Sequence, residues 1–226
     1  MSNVIRLPSQ RDALDFFSDN SIEDVEHLMH FLARGERVEY TGEMVQEHLK
    51  TGGKRLRARL ALAAVTGLGG DYESAVAWAA SVELLHNATL IHDDIQDGDQ
   101  IRRGRPTTWV VHGQAQAINA GDLMLMLPFL ALSNMNVPDT ARWRLSWCLA
   151  DQAAKTVRGQ VEELALLDNQ EITQEAYFRS IQGKTGGFFA LPIEGAALIA
   201  GCSEKESRAL GEAARLDSRV PSQRTM

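Results

Sequence analysis

Residues 71–97 contain neither glycine nor proline and are rich in alanine, leucine and valine. Such a segment predicts one long helix, because these residues lose little on entering a helix. Its apolar residues fall on several sides rather than along one stripe, so neighbours must cover it on several sides. A chain with this segment is therefore expected to pack its other helices around a central one.

The same helix ends in chemistry. Asp93, Asp94, Asp97 and Asp99 close it, and Arg102, Arg103 and Arg105 follow. On a helix Asp93 and Asp97 stand one turn apart on one face, where like charges repel unless a cation lies between them. Carboxylate oxygens with no thiol nearby suit Mg²⁺, which binds one or two carboxylates together with substrate phosphates. Arginine offers a fork of donors matched to phosphate oxygens. The acids and arginines together point to a metal-bridged diphosphate site. The four carboxylates alone fit a solvated helix end equally well. His86, Asn87, Thr89 and His92 tip the balance, since polar residues inside an otherwise apolar helix are costly unless satisfied or used.

The chain has 226 residues, long enough for one sizeable domain. Its net charge of −7, from 23 basic and 30 acidic residues, argues against nucleic-acid binding. Cys148 and Cys202 are too few for a disulfide framework, and a reducing compartment is the default. The N-terminal residues show no signal-peptide core, and apolar stretches such as residues 123–132 and 186–201 are broken by Pro128, Pro192 and Glu194. The expectation is a cytoplasmic protein without a membrane span.

Along the chain, Ser21 reads as the N-cap of a first helix that Gly35 ends. A second helix ends near Gly52-Gly53, and a third runs from Lys54 to about Gly67. Pro106 reads as a helix opener, and Asp122 as the N-cap of a helix over 123–135. Further helices are expected over 139–167, 173–182, 188–199 and 204–216. No strand-like alternation persists. The fold expected is all-α, a single-domain bundle of about ten helices over residues 21–216, with a polar segment at 1–20 and a polar tail at 217–226.

Two glycines precede Lys54-Arg55-Leu56-Arg57, so backbone N–H groups and three cations can meet an anion there. Gly183-Lys184-Thr185 lacks the earlier glycine of a Walker A loop. These segments, with Leu90-Ile91-His92-Asp93-Asp94-Ile95-Gln96-Asp97 and Arg102-Arg103-Gly104-Arg105-Pro106-Thr107, resemble the trans-type polyprenyl diphosphate synthases, of the geranylgeranyl diphosphate synthase kind, over about residues 43–216.

The resemblance implies an isoprenoid synthase fold and a Mg²⁺-dependent condensation of an allylic diphosphate with isopentenyl diphosphate. It implies Asp93 and Asp97 as metal ligands, Asp94 and Lys184 beside them in catalysis, and Glu163 as a further ligand in place of the family's aspartate. Lys54, Arg57, His86 and Arg103 would hold isopentenyl diphosphate. Arg102, Lys184 and Thr185 would hold the allylic diphosphate, with Gln160 nearby and His92 in support. Small residues at Ala88 and Thr89 imply a product longer than fifteen carbons, with twenty favoured. A homodimer, or a heteromer with a related synthase, is the expected assembly. Ala58 stands where the family has proline. The family's second aspartate-rich motif and final helices are not found after residue 216, which reads as truncation; the alternative expectation is a catalytically impaired remnant or a non-catalytic partner of a full-length synthase. A terpene cyclase is disfavoured, because it has no second diphosphate for Lys54 and Arg57 to hold.

Overall fold

A computed structural model describes residues 19–35, 39–133, 135–167 and 186–217. Within them the chain forms α1 (Asp19–Arg34), α2 (Tyr40–Leu49), α3 (Leu56–Gly67), α4 (Tyr72–Gln96), a short hairpin of β1 (Ile101–Arg102) and β2 (Arg105–Pro106), α5 (Thr108–His112), α6 (Gln114–Ser133), α7 (Asp139–Leu167), α8 (Gly187–Ile199) and α9 (Glu204–Asp217). The fold is all-α. The helix expected over 173–182, the Lys184-Thr185 pair and most of the polar tail lie outside the described residues.

α4 is the central helix. Asp71 caps it, its side chain accepting a hydrogen bond from the Ser74 N–H at 2.8 Å. α1, α3, α5, α6, α7 and α8 all pack on it. Small residues make this possible: Ala75, Ala77, Ala79, Ala80, Ser81 and Ala88 are buried and let neighbours approach closely. Trp78 supplies the bulk. It is fully buried, and its indole N–H donates to the Pro192 carbonyl at 3.0 Å. Gly195 makes room for that ring, since a Cβ there would lie 2.0 Å from Trp78 Cζ2.

Three boundaries differ from expectation. α1 starts at Asp19, so Ser21 lies inside the helix and is buried. Pro106 sits in the hairpin opposite Ile101, and the next helix starts only at Thr108, after Thr107 has tied back to Gln100 and Asp99. Asp122 caps nothing. α6 runs unbroken through it, and the neighbouring Gly121 lies under the His92 ring, where a Cβ would come within 2.6 Å of Nε2.

α6 is long and apolar enough to cross a membrane by length and composition. It contains Asp122 and Pro128, and it buries Ala117, Ala120, Met124, Leu127 and Leu132 against the other helices. It is placed as a core helix of the bundle.

Substituting Gly195→Ala should force the Trp78 ring out of its slot, costing about 2–3 kcal/mol. The melting temperature, followed by far-ultraviolet circular dichroism, should drop by about 5–10 °C. An unchanged melting temperature would mean that the α4–α8 contact is looser than described.

Candidate active site

Three segments distant in sequence meet at the C-terminal half of α4: the loop before α3, the hairpin after α4, and the start of α8. Gly52 and Gly53 both have positive φ, 75° and 142°, which lets the loop turn sharply into α3. A Cβ on Gly53 would fall 2.6 Å from Nη1 of Arg103, so the hairpin arginine packs directly on the glycine loop. Lys54 stands exposed beside it.

Arg55 adopts a left-handed conformation (φ 47°), which is strained for a residue with a Cβ. Its buried guanidinium holds the turn in place. It donates to Glu26 at 2.9 Å, to the Leu49 carbonyl at 3.0 Å and to Glu83 at 3.5 Å. Glu83, on α4, also accepts from Asn87 at 3.3 Å. This network ties the anion loop to the central helix, and the expectations from sequence do not contain it. The available signal is Glu83 itself, a carboxylate inside an apolar helix.

Arg57 points its guanidinium at Phe188 and Phe189, 5.5 and 5.3 Å from the ring centres. Phe188 also meets the His86 ring edge-on at 5.3 Å. The two phenylalanines are a second omission from the sequence reading, visible only as an aromatic pair after two glycines. Burial, then the nearby Arg57, Arg103 and Arg102, drive the His86 pKa far below its ordinary value, so its ring is neutral. Burial likewise lowers the pKa of Arg57 and of Arg103. Among the described residues no carboxylate pairs with either arginine. Two guanidiniums and a neutral imidazole thus lie close together, a set of groups whose chemistry suits a polyanion.

The acid cluster divides in two. Asp94 is almost fully buried, and Arg102 Nε and Nη2 lie 2.6 and 2.5 Å from its Oδ1. Asp94 therefore positions Arg102, and its use alongside Asp93 and Asp97 is not what the geometry offers. Asp93 and Asp97 occupy the other face, one turn apart, and Gln160 on α7 donates to Asp97 Oδ1 at 3.4 Å. Glu163 follows Gln160 by three residues on α7. Among the described residues no three His, Cys, Asp or Glu side chains are gathered to hold a cation. A pair of carboxylates fits Mg²⁺ when substrate phosphates complete its shell.

Beside Asp93 opens a cavity of about 360 Å³ walled by Thr89, Leu125, Ala153, Val157, Val161 and Leu164. Ala88 is fully buried in the core and has no part in that lining. His92 reaches across to Asp122 on α6 at 3.3 Å, a contact that supports the wall.

This geometry, a cluster of cationic side chains and an acid pair of which Asp93 borders an apolar cavity, bears comparison with known proteins. The sequence model of one family, described as polyprenyl synthetase, matches residues 38–216. The chain belongs to the polyprenyl synthetase family. It is 36% identical over 170 residues to a short chain isoprenyl diphosphate synthase of Methanothermobacter thermautotrophicus, covering 75% of this chain and 52% of that protein. It is 34% identical over 158 residues to a (2E,6E)-farnesyl diphosphate synthase of Mycobacterium bovis, covering 70% and 44% respectively. Among solved structures, geranylgeranyl pyrophosphate synthetase from Pyrococcus horikoshii superposes with a TM-score of 0.82 at 28% identity, over 90% of this chain and 63% of that one. The chain spans about half the length of the curated relatives it matches.

Two consequences are measurable. Replacing Arg55 by leucine leaves Glu83 buried without its partner, which should cost about 3 kcal/mol or more in thermal or denaturant melts. His48, on α2 beside this network, is held neutral mainly by burial and then by Arg102 and Arg103, with a pKa of about 4. An unfolded imidazole protonates near its ordinary 6.5. Stability should therefore be full above pH 6.5 and fall as the pH drops toward 4, by at most about 1.4 kcal/mol per pH unit from this group. A His48→Gln variant should show a shallower slope across that window, and an identical slope would contradict the assignment.

Proposed function

We propose that this chain acts in trans-prenyl transfer, condensing an allylic diphosphate with isopentenyl diphosphate to give a longer prenyl diphosphate. The observation that carries the reading is that the Arg57–His86–Arg103 cluster and the Asp94–Arg102 pair both lie along the C-terminal half of α4, whose Asp93 borders an apolar cavity. Lys54, Arg57, His86 and Arg103 hold the diphosphate of the isopentenyl unit. Phe188 and Phe189 fix the Arg57 guanidinium and shield it from water. Arg102, held rigid by Asp94, reaches the allylic diphosphate next to Asp93 and Asp97.

Mg²⁺ bound at Asp93 and Asp97 would neutralise charge on the departing diphosphate. The residues themselves supply orientation and a water-poor cavity, and no protein nucleophile is needed. The allylic carbon loses its bond to oxygen, the isopentenyl double bond attacks that carbon, and a proton is then lost. The apolar cavity receives the growing chain. Thr89, a small residue in its wall, supports a product of about twenty carbons.

A second reading is a chain that binds diphosphates without turning them over. An assay with labelled isopentenyl diphosphate, farnesyl diphosphate and magnesium separates the two. Elongated product is expected from the wild-type chain, and Asp93→Ala should lower kcat/KM about 10²–10³-fold, the size of losing one well-placed electrostatic group. Folded protein that binds both substrates but forms no product would overturn the first reading and leave the second.

A further inference from the structure

We propose that Ala153 on α7 sets the length of tail that the apolar cavity beside Asp93 accepts, closing its far end together with Thr89 and Leu125. The proposal rests on the reading that this cavity receives the prenyl chain. The expectations from sequence name neither Ala153 nor Leu125.

The register of the helices fixes the depth of each residue. Phe188 meets His86 and the Pro192 carbonyl accepts from Trp78, so α8 runs antiparallel to α4. Gly187 lies against Gln152 and Glu194 accepts from Cys148, so α7 runs antiparallel to α8 and in the same direction as α4. Gln160 on α7 is level with Asp97 on α4, which it meets. Ala153 stands seven residues earlier on α7, two turns or about 10 Å deeper. That is the depth of the α4 turn carrying Thr89. α6 runs the other way, since Asp122 meets His92 and the Pro128 carbonyl accepts from Ser81. Leu125, about one turn beyond Asp122, therefore reaches the same depth. All three residues line the cavity.

Polarity divides the cavity in the same way. Asp93, Gln96 and Gln160 line it at the end where Asp97 stands. The two hydroxyls deeper in the lining are committed to their own helices. Thr89 Oγ1 donates to the His86 carbonyl at 2.8 Å, and Thr156 Oγ1 to the Gln152 carbonyl at 2.9 Å. With those groups satisfied, the deep end suits a hydrocarbon tail rather than a second charged group. Of the three residues that close it, Ala153 has the smallest side chain, so a larger one there takes space directly from the tail.

Binding of the non-reactive geranyl, farnesyl and geranylgeranyl thiolodiphosphates to the full chain, with magnesium, tests the proposal without turnover. Affinity for the wild type should rise with each added isoprene unit. Ala153→Phe should weaken the geranylgeranyl analogue about tenfold or more and leave the geranyl analogue within about twofold. Ala153→Val and Ala153→Leu should fall between, and they carry the test if circular dichroism shows that the phenylalanine variant does not fold. Adding Leu125→Ala to Ala153→Phe should restore geranylgeranyl binding, because the two side chains share one end of the cavity. Ala150→Phe, on the exposed face of α7, should change nothing. Unchanged geranylgeranyl binding in folded Ala153→Phe, or equal weakening of all three analogues, would overturn the assignment. Folded chain that shows the expected pattern but elongates nothing would remove the proposed reaction and keep the assignment. Elongation to an unchanged length by Ala153→Phe would do the reverse.

Discussion

The buried contact between Asp94 and Arg102 sets the geometry of everything near it. Asp94 is 1% exposed, so its charge could not persist there without a cation against it. Arg102 answers by folding the hairpin back along the end of α4. That fold carries the next residue, Arg103, on to Gly53, and so joins the acid end of the helix to the anion loop. It also leaves Asp93 and Asp97 together on the opposite face. One ion pair thus separates Asp94, which organises an arginine, from Asp93 and Asp97.

The cationic side obeys a complementary rule. Arg57 and Arg103 crowd each other and two histidines, and burial lowers the pKa of all four groups. Such clustering is electrostatically unfavourable, and Glu83 offsets part of it for both arginines. The cost is carried by the network below, where Arg55 accepts a strained backbone in exchange for Glu26, Glu83 and the Leu49 carbonyl. Stability invested in Arg55 and Trp78 supports a site whose own charges repel.

Much of this was legible in the sequence. The central helix shows in the unbroken, alanine-rich run over 71–97, whose periodicity demands cover on several sides. The expectation of diphosphate chemistry rests on Asp93 and Asp97 at one-turn spacing with arginines close behind. Other features were hidden because they depend on contacts between distant segments. Nothing local distinguishes Arg55 from Arg57, yet one is buried in a structural network and the other stacks on Phe188 and Phe189. Asp122 has the sequence of a helix cap, yet the helix starts at Gln114 and Asp122 instead meets His92 across the helix pair. Asp94 reads like its neighbours until the hairpin shows Arg102 upon it. Ala88 has the right size for a cavity wall, but its helix face turns it into the core.

The central claim is that Asp93 and Asp97 act through a divalent cation on a diphosphate that Arg102 also contacts. Calorimetric titration of the chain with a non-reactive prenyl diphosphate analogue, with and without magnesium, measures this directly. The account predicts a magnesium-dependent component of binding that disappears in the Asp93→Asn/Asp97→Asn variant while the fold, by circular dichroism, is unchanged. Equal binding with and without magnesium, or a magnesium-dependent component that survives loss of both carboxylates, would contradict it.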